Sequence, residues 1–172
     1  MKKYSNYSII ILAFLAFTAF TLPNNNTNPA PENEIYTEYC NLRFDYCLAY
    51  PGNEFTQQES SDNGDGAVFL DETGKVTMTI VGAHNVMAWT PKDIFYFTFE
   101  DKFRDPNLFV ENLGSEITDT GFEAQYMVDD EYLFYRMYLL DDSYVMLQMK
   151  SDINDRALIE TYIPELNLEL SI

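Results

Sequence analysis

The segment Ser61–Glu72, with the sequence SDNGDGAVFLDE, carries oxygen-bearing side chains at the spacing of a calcium-binding loop. Asn63, Asp65 and Glu72 occupy its third, fifth and twelfth positions, where such a loop places ligands, and Gly66 occupies the position of the sharp turn. The first position holds serine where the loop needs aspartate, and neither flank has a helical pattern. Two interpretations follow: a Gly-rich turn that reverses the chain, or a calcium site at Asn63, Asp65 and Glu72 in a calcium-stabilised module.

The chain has one histidine, His84, which is the candidate general base of a hydrolase. A catalytic histidine needs partners at defined positions. The sequence contains no G-x-S-x-G, H-E-x-x-H or C-x-x-C motif and no glycine-rich phosphate loop. Acidic pairs are abundant, and turn chemistry explains them. The sequence therefore predicts a protein that is not an enzyme and needs no cofactor, with a hydrolase using His84 as an alternative.

Cys40 and Cys47 are the two cysteines of the chain. In an oxidising compartment they could form a disulfide. Along one straight strand, seven residues separate two Cα atoms by about 23 Å, whereas a disulfide needs less than about 7 Å. A bond between Cys40 and Cys47 therefore requires a bend in the chain, and free or intermolecular thiols are the alternative.

Five tyrosines in the C-terminal half are candidates for binding a partner protein, because tyrosine combines an apolar ring with a hydrogen-bonding tip. They are Tyr126, Tyr132, Tyr135, Tyr138 and Tyr144. Their positions alternate between the two faces of predicted strands, so one set would pack under helices and the other could form an exposed patch. Cross-strand stacking on a solvated face explains the same pattern without a partner.

The positions of these residues depend on a chain that alternates strand and helix signals. Thr90 and Pro91 predict the start of a helix that runs to about Arg104, and a second helix is predicted at Asn154–Tyr162. The predicted strands are Asn41–Tyr50, Ala67–Leu70, Lys75–Val81, Phe122–Val128, Tyr132–Leu140, Tyr144–Lys150 and Leu166–Ile172. Short polar turns between the strands predict antiparallel neighbours. The fold class is α+β, a mainly antiparallel sheet flanked by helices.

Met1–Leu22 has the parts of a secretory signal peptide: two lysines, an apolar run at Ile9–Phe20, and small residues near its end. The apolar run is shorter than the roughly 20 residues that a membrane-spanning helix needs. We therefore predict export to the periplasm or the exterior with no stable membrane span, although an uncleaved anchor stays open. Residues 23–35, rich in asparagine and proline, are a predicted flexible linker, and residues 36–172 a single domain.

The protein is strongly acidic, with 10 basic and 28 acidic residues and a net charge of −18. Loss of the leader would remove two lysines and leave 8 − 28 = −20. This charge argues against nucleic acid and anionic lipid as partners, since both attract lysine and arginine. It suits a basic protein partner, and solubility outside the cytoplasm explains it without any specific partner.

Several local motifs resemble those of one known family. They are N-x-R-F-x-Y followed by Y-P within Asn41–Pro51, the run Asn63–Gly66, a D-x-x-G-K turn at Asp71–Lys75, and F-Y-R-M at Phe134–Met137. Together they resemble small exported bacterial proteins with a PsbP-like α/β/α sandwich. The resemblance implies a non-catalytic binding or assembly protein of the cell envelope. With the acidic charge, it suggests a basic protein partner, and a narrower hypothesis is an inhibitor or immunity factor against a cationic enzyme.

Overall fold

The computed structural model describes residues 35–170, with only the backbone given for Glu59 and residues 101–104. The predicted signal peptide and all of the predicted linker except Ile35 lie outside the described residues. The strands are β1 Tyr36–Asn41, β2 Tyr46–Pro51, β3 Phe55–Ser60, β4 Gly66–Asp71, β5 Thr77–His84, β6 Val110–Ile117, β7 Gly121–Val128, β8 Glu131–Leu139, β9 Ser143–Asp152 and β10 Asn167–Leu170. The helices are α1 Pro91–Arg104 and α2 Arg156–Tyr162. The predicted α+β class is confirmed.

Two antiparallel sheets contain the strands. The larger sheet has the order β3-β4-β5-β9-β8-β7-β6, and the smaller has the order β1-β2-β10. Strands β7, β8 and β9 form the predicted meander, and β4 and β5 form the predicted hairpin. Because neighbours run in opposite directions, the β6–β7 and β8–β9 turns lie at the same end of the large sheet as the end of β5.

Two hydrophobic cores cover the two faces of the large sheet. The first lies between strands β3, β4, β5, β9 and β8 of the large sheet and a layer made of the small sheet and α2. Within it, the Tyr50 ring packs against the Phe69 ring. The second lies under α1, where Phe99 packs against Tyr126 and Tyr135 of β7 and β8. The predicted flanking helices are present, and on one face of the large sheet the small sheet packs beside α2 over the first core.

Helix α1 begins as the sequence predicts. The Thr90 backbone N–H donates to the Asp93 carboxylate at 2.9 Å, and the Asp93 N–H donates to the Thr90 hydroxyl at 3.3 Å. These hydrogen bonds form a capping box with aspartate in the usual place of glutamate, and the bonds from Thr90 lower the pKa of Asp93. In the described part of the chain, no helix is long and apolar enough to span a membrane.

The prediction of one strand over Asn41–Tyr50 is wrong. The chain reverses at residues 42–45, where Asp45 adopts a left-handed conformation with φ of 48°. The buried Asn41 side chain stabilises this turn by accepting a hydrogen bond from the Arg43 N–H at 3.0 Å. Alternating apolar residues on both sides of the turn conceal it in the sequence.

The sequence also failed to predict β3 and β6, which are the two edge strands of the large sheet. Both are polar, with the sequences FTQQES and VENLGSEI. Each also has an irregularity in register, between Gln57 and Glu59 in β3 and between Asn112 and Gly114 in β6. Edge strands are commonly polar and bulged, so the period-two hydrophobic pattern is weak in them.

Candidate functional site

The structure separates the three predicted calcium ligands. Asn63 and Asp65 lie in the β3–β4 turn, whereas Glu72 follows the far end of β4, about 20 Å away for a six-residue strand. The Asp65 carboxylate forms an ion pair with Arg43 and accepts a hydrogen bond from the Asn63 amide. One ion cannot contact all three residues. The prediction of a calcium site at Asn63, Asp65 and Glu72 is therefore wrong: residues 61–65 form the turn between β3 and β4, and the residues between this turn and Glu72 belong to β4.

Cys40 and Cys47 form a disulfide in the structure, with a Cα–Cα distance of 4.1 Å. The turn at residues 42–45 supplies the bend that the sequence left open and places the two cysteines opposite each other on β1 and β2. Glu38 lies close to both sulfur atoms. Since a metal binds the thiolate, the disulfide leaves no cysteine ligand there.

Three of the five predicted partner-binding tyrosines are buried. Tyr126, Tyr132 and Tyr135 expose 1%, 0% and 4% of their surface, so their prediction as partner-binding residues is wrong. The physical reason is that α1 covers one face of β7 and β8, while the layer that contains α2 covers the other face of β8. Burial raises the pKa of Tyr126 and of Tyr135 to about 12. Tyr138 and Tyr144 are half-buried and keep part of their surface in solvent.

Tyr138 lines a groove of about 780 Å³ at one end of the large sheet. We call it the acidic groove. The antiparallel register produces it, since His84 of β5 lies opposite Ser143 of β9, and Gly121 of β7 lies opposite Tyr138 of β8. The groove is lined by residues from the β1–β2, β6–β7 and β8–β9 turns, from the ends of β5, β8 and β10, and from the start of β9. They are Arg43, Phe44, Asp45, His84, Asp119, Thr120, Tyr138, Leu139, Leu140, Asp141, Asp142, Ser143 and Leu170.

The lining of the acidic groove combines apolar side chains with exposed carboxylates. Its apolar residues are Phe44, Leu139, Leu140 and Leu170, and its carboxylates are Asp45, Asp119, Asp141 and Asp142. Within residues 35–170, none of these four carboxylates forms a salt bridge. The cationic Arg43 also lines the groove, but it is paired with Asp65. The groove therefore has an excess of negative charge beside apolar surface.

A second pocket of about 270 Å³ adjoins the acidic groove and shares Thr120 and Tyr138 with it. It adds Glu116 and Glu123, which lie directly opposite each other on β6 and β7. Like charges in such a pair destabilise a sheet, and Arg136 on β8 offsets part of the repulsion by pairing with Glu123 at 3.3 Å. The pocket extends the acidic surface along β6 and β7.

His84 lies in the acidic groove and is exposed. Its ring packs against Phe44, with 5.0 Å between ring centroids. Ser143 lies opposite it in the register but is buried. In the described residues, no hydrogen bond joins His84 to a carboxylate or a hydroxyl group, and such a bond is the usual mark of an activated nucleophile. The hydrolase hypothesis gains no geometric support beyond the position of His84.

Sequence reasoning did not select the four groove aspartates as site residues. Asp141 and Asp142 were explained by turn chemistry, and Asp119 precedes a strand whose partner, β6, was not recognised. A signal was available, because alternate turns of an antiparallel meander lie at the same end of the sheet. Recognition of β6 would have placed Asp119 beside Asp141 and Asp142.

Comparison with solved structures identifies the fold. No family model matches the chain, and no curated protein matches it. The solution structure of cyanobacterial PsbP (CyanoP) from Synechocystis sp. PCC 6803 is similar, with a TM-score of 0.57 over 80% of this chain and 94% of that chain. The fold is PsbP-like. The two sequences are 11% identical, so the PsbP-like likeness establishes the fold alone, and it confirms the fold that the sequence motifs suggested.

Proposed function

We propose that this protein is an exported, non-catalytic binding or assembly protein of the cell envelope, and that it holds a basic protein partner in the acidic groove. The observation that carries the proposal is the groove itself, in which four aspartates that form no salt bridge with the described residues lie beside apolar side chains. A lysine or arginine side chain fits this chemistry, since its aliphatic stem packs on apolar surface while its charge meets carboxylates.

The distribution of charge in the rest of the protein supports a cationic partner. Lys75, Arg136, Lys150 and Arg156 each form an ion pair with a carboxylate of the protein itself. Those basic side chains are therefore neutralised locally, while the groove carboxylates are not. The net charge of −18 attracts a cationic protein at long range, and the groove gives the attraction a place of contact.

Tyr138 contributes a second element of recognition. It is half-buried and lies where the groove and the adjoining pocket meet. A cation over an exposed tyrosine ring gains about 0.5–1 kcal/mol, and an ion pair between exposed groups gains a similar amount. Several such contacts are needed for stable binding, so the partner should present more than one basic side chain to the groove.

A capture experiment at two salt concentrations tests the proposal. The tagged protein is incubated with envelope and secreted proteins at about 50 mM and about 500 mM salt, because screening shortens the range of charge attraction. One variant removes three groove charges: Asp119→Asn, Asp141→Asn and Asp142→Asn. A matched control removes three exposed charges outside the groove: Glu72→Gln, Glu111→Gln and Asp130→Asn. Both variants change the net charge equally.

We expect a basic protein to be captured at low salt and lost at high salt. The groove variant should lose it, whereas the control should retain it. If no basic protein is captured at low salt, or if both variants lose it equally, the groove is not the binding site. If the captured protein is an enzyme and binding abolishes its activity, the narrower hypothesis of an inhibitor or immunity factor is supported.

A further inference from the structure

The connection between β5 and α1 holds two apolar side chains in solvent on a fixed turn. Val86 exposes 85% of its surface and Met87 exposes 65%. The Ala88 N–H donates to the Asn85 carbonyl at 3.0 Å and closes the turn. The Asn85 side chain then binds both backbone groups of Trp89, with its amide donating to the carbonyl and its oxygen accepting from the N–H, each at 2.9 Å.

The turn also contains one residue in a strained backbone conformation, which neighbouring hydrogen bonds stabilise. Ala88 has a φ of 49°, in the left-handed region that non-glycine residues rarely adopt. Such a conformation persists when surrounding contacts over-determine it, and the hydrogen bonds made by Asn85 do so. These contacts therefore fix the backbone that presents Val86 and Met87 to solvent.

The apolar surface continues from the turn onto α1. Trp89 packs against Phe97, with 4.8 Å between ring centroids. Phe97 exposes 63% of its surface. The four residues Val86, Met87, Trp89 and Phe97 form what we call the apolar tip. Trp89 is half-buried, and the other three side chains are exposed. Exposed apolar side chains that are grouped in this way commonly mark an interaction site.

The apolar tip adjoins the acidic groove. The Asn85 N–H donates to the Asp142 carbonyl at 2.7 Å, which joins the tip to the β8–β9 turn. His84, the residue before Asn85, lines the groove together with Asp141 and Asp142. One partner can therefore contact the apolar tip and the groove carboxylates at the same time.

We propose that the apolar tip is the second half of the partner-binding surface, and that the partner presents large apolar side chains next to its basic residues. This inference rests on the proposed function and adds the apolar requirement. The negative charge of the neighbouring groove favours an amphipathic basic segment as the partner. The basic side chains of such a segment would pair with the groove carboxylates, while its apolar side chains cover Val86 and Met87.

Two synthetic peptides of equal length and equal positive charge serve as probes, one of lysine and leucine and the other of lysine and serine. Their affinities for the purified protein are measured by fluorescence anisotropy at low salt. The protein is compared with a tip variant carrying Val86→Ser and Met87→Ser, with the three-aspartate groove variant, and with Phe109→Ser as control. Phe109 is a similarly exposed apolar residue beside the β7–β8 turn, at the opposite end of the sheet.

The lysine-leucine peptide should bind the wild-type protein at least about tenfold more tightly than the lysine-serine peptide, because burial of about one apolar side chain provides this difference. The tip variant should lose this preference and keep its affinity for the lysine-serine peptide. The control should keep the preference, and the groove variant should bind both peptides more weakly.

Negative results distinguish the inference about the apolar tip from the proposed function of the groove. If the wild-type protein binds both peptides equally, or if the tip variant keeps the preference for leucine, the inference about the apolar tip is overturned while the proposed groove function stands. If neither peptide binds, the proposed function fails.

Two other occupants of the apolar tip are tested separately. If the wild-type protein dimerises and the tip variant does not, the tip binds a second copy of the chain. If the wild-type protein binds neutral phosphatidylcholine vesicles and the tip variant does not, the tip binds a lipid surface. Either result overturns the inference.

Discussion

Replacement of Cys40 and Cys47 by serine tests how strongly the disulfide stabilises the wall of the acidic groove. The disulfide crosses the β1–β2 hairpin, whose turn carries Phe44 and Asp45 into the groove. A cross-link stabilises a protein mainly by restricting the unfolded chain. With a separation of 7 residues between the cysteines, the loop-closure entropy corresponds to about 2.4 kcal/mol at about 25 °C.

The folded state should survive the substitution. Six register pairs still join β1 to β2, and β10 pairs with the other edge of β2. The buried Tyr46 and Leu48 of β2 also keep their contacts in the first core. We therefore expect a folded variant whose free energy of unfolding is lower by about 2.4 kcal/mol.

Urea unfolding followed by circular dichroism measures this difference by linear extrapolation. Reduction of the wild-type protein should reproduce the effect of the double substitution, and reductant should leave the serine variant unchanged, which provides the control. The reasoning would be refuted if the free energy of unfolding fell by less than about 1 kcal/mol while its slope against urea concentration stayed unchanged. The disulfide would then not stabilise the protein by restricting the unfolded chain.

Four further outcomes are expected. Asp71→Ala should lower the free energy of unfolding by about 2–3 kcal/mol in urea titrations, because the buried carboxylate accepts two backbone hydrogen bonds from the β4–β5 turn and its loss leaves the donors unpaired. Burial raises the pKa of Tyr135 to about 12, above its unfolded value of about 10. The stability that depends on protonated Tyr135 is therefore fully present below about pH 10. It is lost as the pH rises toward about 12, because the unfolded chain gives up the tyrosine proton before the folded protein does. Tyr135→Phe should therefore make the fall in melting temperature over this range shallower. Gly82→Ala should destabilise the protein by about 1–3 kcal/mol and weaken partner binding, because the new Cβ would lie 2.4 Å from the Phe44 ring in the groove. Millimolar calcium should leave the melting temperature unchanged, since an arginine already pairs with the Asp65 carboxylate; a rise that Asp65→Ala abolishes would contradict this.

Local signals in the sequence were sufficient for the elements that have strong patterns of their own. The Thr90-Pro91 start of α1, the Gly74 turn between β4 and β5, and the alternating residues of β7, β8 and β9 all correspond to observed structure. In each case a residue with a restricted conformation or a clear hydrophobic period supplies the information. The turn at residues 42–45 has no such residue, and its stability comes from the buried Asn41 side chain.

The candidate site was less accessible from the sequence. Alternation assigned the tyrosines to two faces correctly, but it could not show that both faces of β8 are covered, one by α1 and the other by α2. That cover buries Tyr132 and Tyr135 and leaves Tyr138, near the end of the strand, in the groove. The packing of α1 and α2 against the sheet, which no local pattern encodes, decided which tyrosines face solvent.

The sequence by itself determined the acidic charge, the α+β class and most of the strands and helices, because composition, hydrophobic period and turn chemistry are local properties. Only the tertiary structure decided which charges meet. The antiparallel register brings Asp119 and Asp142 to one end of the sheet, the β1–β2 turn adds Asp45, and a hydrogen bond from Asn85 places the apolar tip beside them. These residues lie far apart along the chain, so their proximity follows from strand order and packing.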